Sequence, residues 1–119
     1  MAQFMLCLYD DPTKWQDMSP EDMQKAIQKY VAWASKAREG GYFKSSEKLA
    51  DDKGKVLRGG PGKTRVVDGP YSETKEVLGG FYVIEADDYE QAVQRILDHP
   101  HLEYGGTVEI RTVQVIPRG

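Results

Sequence analysis

Between Asp68 and Phe81 the chain reads Asp-Gly-Pro-Tyr-Ser-Glu-Thr-Lys-Glu-Val-Leu-Gly-Gly-Phe, a dense run of side chains able to do chemistry. Asp-Gly-Pro forces a turn, because proline fixes its own φ and restricts the residue before it. Two carboxylates, a lysine, two hydroxyls and a tyrosine follow before the chain enters an apolar strand. Polar density on a rigid turn is how a pocket rim is built. Asp68, at the head of the turn, is the candidate for acid or base catalysis: burial raises a carboxylate's pKa, a nearby cation lowers it, and a tuned acid balances both. Lys75, Arg58 or Arg111 would orient an anionic substrate, with Tyr71 and Glu73 lining the rim. The competing reading makes Glu73, Lys75 and Glu76 a solvated rim of weak ion pairs and Asp68 the cap of its own turn.

Three other features invite chemistry and carry less. Gly62-Lys63-Thr64 ends like a phosphate-binding loop, but Leu57 stands where the first glycine belongs, and the segment joins two strands where such a loop opens a helix. A hairpin turn is expected there. His99-Pro100-His101 offers two imidazoles with no cysteine or second histidine pair nearby, so a metal is not expected, and a histidine at a helix C-terminus is. Cys7, the single cysteine, lies in an apolar strand and reads as a buried structural thiol. Tyr9, Tyr71 and Tyr82 are further candidates to line a pocket. No dinucleotide glycine fingerprint or metal-ligand spacing occurs, so no cofactor is expected.

The elements that must position these residues follow from periodicity. Residues 3–9 form an apolar run suited to a central strand buried on both sides. Ser19-Pro20-Glu21-Asp22 is a helix start, with a hydroxyl N-cap, proline in the first turn and acids beside the positive end of the dipole. Met23, Ala26, Ile27, Tyr30, Val31, Ala34 and Ala37 then keep one face apolar to Arg38, and Gly40-Gly41 stops the helix. Strands are expected at 42–49, 55–58, 65–68 and 80–84, with Gly59 to Thr64 joining the two short ones. Asp87-Asp88 caps a second helix that Pro100 ends, and 107–116 alternates as a last strand.

That order is α+β: a ferredoxin-like βαββαβ chain with an inserted β-hairpin, whose two helices cover one sheet face. At 119 residues the chain suits one domain, 1–119. The uncovered sheet face is readily completed by a second copy, so a homodimer of the dimeric α/β-barrel kind is expected. A net charge of −3 with scattered basic residues argues against nucleic acid as a partner. The first twelve residues lack a basic region and a long apolar stretch, so no membrane association and a cytoplasmic location are expected.

The Asp68 to Phe81 segment resembles the signature of the DGPF-type branch of the YCII-related family, with Tyr71 where the family usually has phenylalanine. The resemblance extends to Met5 through Tyr9, to Gly41 through Leu49, to Glu85-Ala86-Asp87-Asp88 with Ala92, to His99-Pro100 and to Glu109-Ile110-Arg111. It implies a dimerising ferredoxin-like domain with a cleft to which the Asp-Gly-Pro turn contributes, and it adds Ser46 and Glu47 as ligand contacts. Better-studied relatives have been given a His-Asp pair in the cleft. No histidine here precedes His99, which leaves Asp68 as the acid. The resemblance also implies an association with sigma factors of the extracytoplasmic type.

Two functions fit. One is a small-molecule-binding cytoplasmic protein acting as a cofactor-independent enzyme, with Asp68 as the acid or base in the dimer cleft. The other is a non-catalytic module that binds a ligand or partner, with the turn mainly structural.

Overall fold

Ser19 does what its position suggests: its Oγ accepts the amide of Asp22 at 3.1 Å and starts the longest helix, with Pro20 in the first turn and Lys36 and Arg38 in the last. A computed structural model describes residues 1–69 and 76–117 of the chain. In chain order the elements are β1 (Ala2–Asp10), α1 (Thr13–Gln16), α2 (Pro20–Glu39), β2 (Phe43–Lys48), β3 (Lys55–Arg58), β4 (Arg65–Asp68), β5 (Val77–Ala86), α3 (Tyr89–Ile96), α4 (Pro100–Glu103) and β6 (Thr107–Thr112).

Four strands form one sheet in the order β2-β5-β1-β6, with every neighbouring pair antiparallel. Each long crossover joins strands that leave room for one strand between them: β5 lies between β1 and β2, and β1 lies between β5 and β6. This mixed α+β arrangement is compatible with a ferredoxin-like chain. Strand alternation sorts the side chains. Phe4, Leu6 and Leu8 of β1 and Tyr82, Ile84 and Ala86 of β5 face the helices and pack with Trp33, Ala37, Ala92 and Ile96 as the core. Met5, Cys7, Phe81 and Val83 take the opposite face. Gly80 is where β2 and β5 come close, since a Cβ there would lie 2.8 Å from the carbonyl oxygen of Glu47.

Among the described residues the short strands β3 and β4 pair with each other alone, Val56 opposite Val67 and Leu57 opposite Val66. Their turn contains Gly62 at φ +67°, a conformation glycine adopts freely, so Gly62-Lys63-Thr64 belongs to a hairpin. The chain measures 50 × 49 × 19 Å with a radius of gyration of 16.6 Å. A compact domain of this length would have about 13 to 14 Å.

The structure differs from the expected elements at four places. A helical turn, α1, occupies the loop after β1. β5 extends to Val77 and Ala86, beyond residues 80–84, because both β1 and β2 pair along it. β6 stops at Thr112, short of 116: Thr112 faces Phe4 near the start of β1, and after the bond from Val113 N–H to the Gln3 carbonyl the partner strand runs out. Finally, Pro100 opens a helix as well as following one. The second long helix ends at Ile96, and His99 N-caps α4 by accepting the amide of His101 on Nδ1. His99 therefore caps a helix start, whereas His101 lies in the last turn of α4, and both are buried.

Candidate functional site

The apolar stripe of α2 is wider than the sheet beneath it can cover. Ala26, Trp33 and Ala37 are buried, while Ile27 and Val31 remain 49% and 62% exposed. Between this uncovered part and the ends of β1, β2 and β5 lies a cleft of about 720 Å³. Met23, Ile27, Val31 and Ala34 form one wall, Leu8, Gly80 and Tyr82 the floor, and Ser46 to Lys48 with Val77 the far side.

Polar groups gather at its inner end. Asp10, the last residue of β1, is buried and accepts from Trp15 Nε1 at 2.6 Å and from the Asp11 amide at 2.8 Å, with Lys14 Nζ at 3.2 Å. These donors offset the cost of a buried carboxylate and fasten α1 to the sheet. His101 reaches the cleft from α4. Its Nε2 lies 2.7 Å from the Tyr9 carbonyl, which only accepts, so in neutral His101 the proton is on Nε2 and Nδ1 accepts from the Tyr30 hydroxyl at 2.8 Å. Gly106 lies flat against this imidazole, where a side chain would collide with the ring. A second relay lies beneath. His99 Nδ1 accepts the His101 amide, so Nε2 donates to the Tyr82 hydroxyl at 2.9 Å.

Burial favours the uncharged forms of His99, Tyr82 and Tyr30. It pushes the His99 pKa down to about 4 and that of Tyr82 up to about 12. Tyr30 is raised as well, first by burial and then by the nearby Asp10 carboxylate. At the outer end the Arg38 guanidinium stacks on Phe43, 4.3 Å from the ring centre, and no carboxylate among the described residues pairs with it. The cleft is thus largely apolar along its walls, with Asp10, Tyr30, Tyr82 and His101 gathered toward its inner end and Arg38, Lys48 and Asp51 among its other lining residues.

Of the residues singled out in the sequence, Ser46, Glu47 and Tyr82 line this cleft. Asp68 ends β4, where its carboxylate is 2.8 Å from Lys55 Nζ and both side chains are largely exposed. Arg58 stands opposite Arg65 on the same ribbon. Arg111 is on the other face of the main sheet beside Glu109, as is Tyr9, whose hydroxyl donates to Glu109 at 3.2 Å. Cys7 is also on that face and buried, and burial raises its thiol pKa. Tyr71, Glu73 and Lys75 lie outside the described residues, and Glu76 accepts from Thr107 at 3.0 Å. Asp10, Tyr30, Arg38 and His101 were not foreseen. The signal for Tyr30 was a polar tip within an otherwise apolar helical stripe; Asp10 was visible only as a strand breaker.

Among the described residues no group of three or more His, Cys, Asp or Glu is arranged to hold a metal, and no helix is long and apolar enough to cross a membrane. A family model described as the YCII-related domain matches residues 2–116. An uncharacterised protein of Rhizobium meliloti (strain 1021) is 29% identical over 121 residues, covering 100% of this chain and 97% of that protein.

Proposed function

The chain belongs to the YCII-related family, and we propose that within it this protein binds a small molecule in the cleft between α2 and the sheet. The observation that carries this reading is the 720 Å³ cleft itself, apolar along its walls with a few convergent polar groups, the usual make-up of a ligand site. Tyr30 and Tyr82, held neutral, suit an uncharged hydrogen-bonding group, and Arg38 suits an anionic or strongly polar one at the mouth. The fit is to a compact amphipathic molecule.

Binding is favoured over proton transfer within the cleft. Asp10 already accepts from two donors and faces a lysine, and both nitrogens of His101 are engaged, so these groups first hold the inner end of the cleft together. The catalytic alternative assigns the acid or base role to Asp68. It requires a second copy to enclose that carboxylate, which is exposed in the single chain.

The working unit of this reading is a cytoplasmic homodimer in which the open faces of two sheets meet as an α/β barrel. The half-buried Met5, Phe81 and Val83 and buried Cys7 on that face support it, since an apolar face of a small domain is readily covered by a second copy. The test is a titration with the neutral apolar dye N-phenylnaphthylamine. Saturable binding is expected, weakened about tenfold or more by Val31→Glu, which places a charge on the cleft wall at an exposed position and leaves folding intact. Asp68→Asn should leave dye affinity unchanged and alter stability by no more than about 0.5 kcal/mol. Affinity unaffected by Val31→Glu would refute the assignment of the cleft.

A further inference from the structure

The apolar stripe of α2 ends on a charge. Tyr30 and Arg38 both line the cleft and are separated by about 12 Å along the helix axis. The Arg38 guanidinium lies over the Phe43 ring, 4.3 Å from its centre. Stacking of this kind uses the face of the group and leaves the N–H donors around its edge available. Among the described residues no carboxylate takes them up. Lys48, also on the cleft, is by contrast engaged by Asp51 at 3.2 Å and by the Leu49 carbonyl. Ser46 adds a hydroxyl. It stands opposite Tyr82 in the β2–β5 register, so its side chain is on the cleft side of the sheet, half-buried, and among the described residues its hydroxyl has no hydrogen-bond partner. Phe43, which carries Arg38, is on the same face of β2, opposite Ile84. Glu47 alternates to the other face beside Phe81, so its carboxylate does not confront this end. The buried acid of the cleft is Asp10, at the inner end. An anion is therefore repelled from the inner end and attracted to Arg38.

We infer that the ligand of this cleft is an apolar monocarboxylate, held with its carboxylate on the Arg38 guanidinium and the Ser46 hydroxyl and its apolar body along Val31, Ile27 and Leu8 toward Tyr30. A carboxylate meets the planar guanidinium fork with two parallel hydrogen bonds, which a neutral amide with its one acceptor oxygen cannot do. A dianionic phosphate would bring a second charge to a cleft whose Lys48 is already paired with Asp51. The orientation follows from the two ends: the carboxylate stays at Arg38, away from Asp10, and the apolar body covers the exposed part of the α2 stripe. This inference rests on the cleft as the ligand site and names the class of molecule that fills it; it does not depend on the dimer.

The test is a competition on the full-length protein, in which octanoate and octanamide, equal in chain length and different in charge, displace bound N-phenylnaphthylamine. Octanoate should compete at about tenfold lower concentration than octanamide, the scale of one charge-assisted pair. Arg38→Gln should abolish that difference, and Arg38→Lys, which keeps the charge without the fork, should retain only part of it. Arg38 is exposed, so neither change should disturb folding. Lys25→Gln makes the same change of charge on the same helix, at an exposed position outside the cleft, and should leave the preference intact. Equal displacement by the two compounds, or a preference for octanoate that survives Arg38→Gln, overturns the carboxylate assignment and leaves the cleft standing as the site of the dye. A protein that binds neither the dye nor octanoate removes the cleft reading and this assignment with it.

Discussion

His99 carries one of the clearest electrostatic consequences in the molecule. In the folded chain burial holds its pKa at about 4, and its Nδ1 is occupied by the His101 amide. In the unfolded chain it titrates near its ordinary value of about 6.5. Between these values the unfolded state binds more protons, so the contribution to stability is complete above about pH 6.5 and is lost as pH falls toward 4, by roughly 3 kcal/mol in all. Denaturant titrations at several pH values should show this loss, and a His99→Phe variant, lacking the proton site, should lack that component of the pH dependence. Tyr30→Phe keeps the ring and removes the donor to His101 Nδ1. It should cost about 1 to 2 kcal/mol by the same measurement and weaken binding of ligands that place a donor at that end of the cleft.

At the scale of elements, two local devices should show their cost directly. Ser19→Ala removes the cap of α2 and should destabilise the protein by about 1 kcal/mol. Gly80→Ala would place a Cβ 2.8 Å from the Glu47 carbonyl, forcing β2 away from β5. A loss of about 1 to 3 kcal/mol is expected, read from the denaturation midpoint. The long helix was legible because serine N-cap, proline, apolar period and glycine stop all agree at 19–41. The main strands were legible as runs, with boundaries displaced where a partner strand decided the length, as at Thr112 and Val77. His99 was misplaced for a physical reason. Pro100 is as well suited to the first turn of a helix as to the end of one, and only the packing of α4 against the sheet selects between them. The cleft was less visible still. Its inner end joins Asp10, Tyr30, Tyr82 and His101, which are distant in the chain and meet only after the strands pair, whereas the polar turn around Asp68 was conspicuous because its residues are consecutive.

For the whole molecule, the excess radius of gyration, the thin 19 Å dimension and the exposed Leu57 and Val66 of the β3–β4 ribbon describe a chain whose apolar surface is incompletely covered. The homodimer proposed above would cover the open sheet face. The central claim concerns the cleft, and amide-resolved NMR of the labelled protein during a titration with N-phenylnaphthylamine tests it most directly. The expected result is a saturable shift of amides along Met23 to Arg38, Ser46 to Lys48 and Gly79 to Tyr82. Saturation with those amides unmoved, and shifts centred on Glu109 and Arg111 across the sheet, would contradict it.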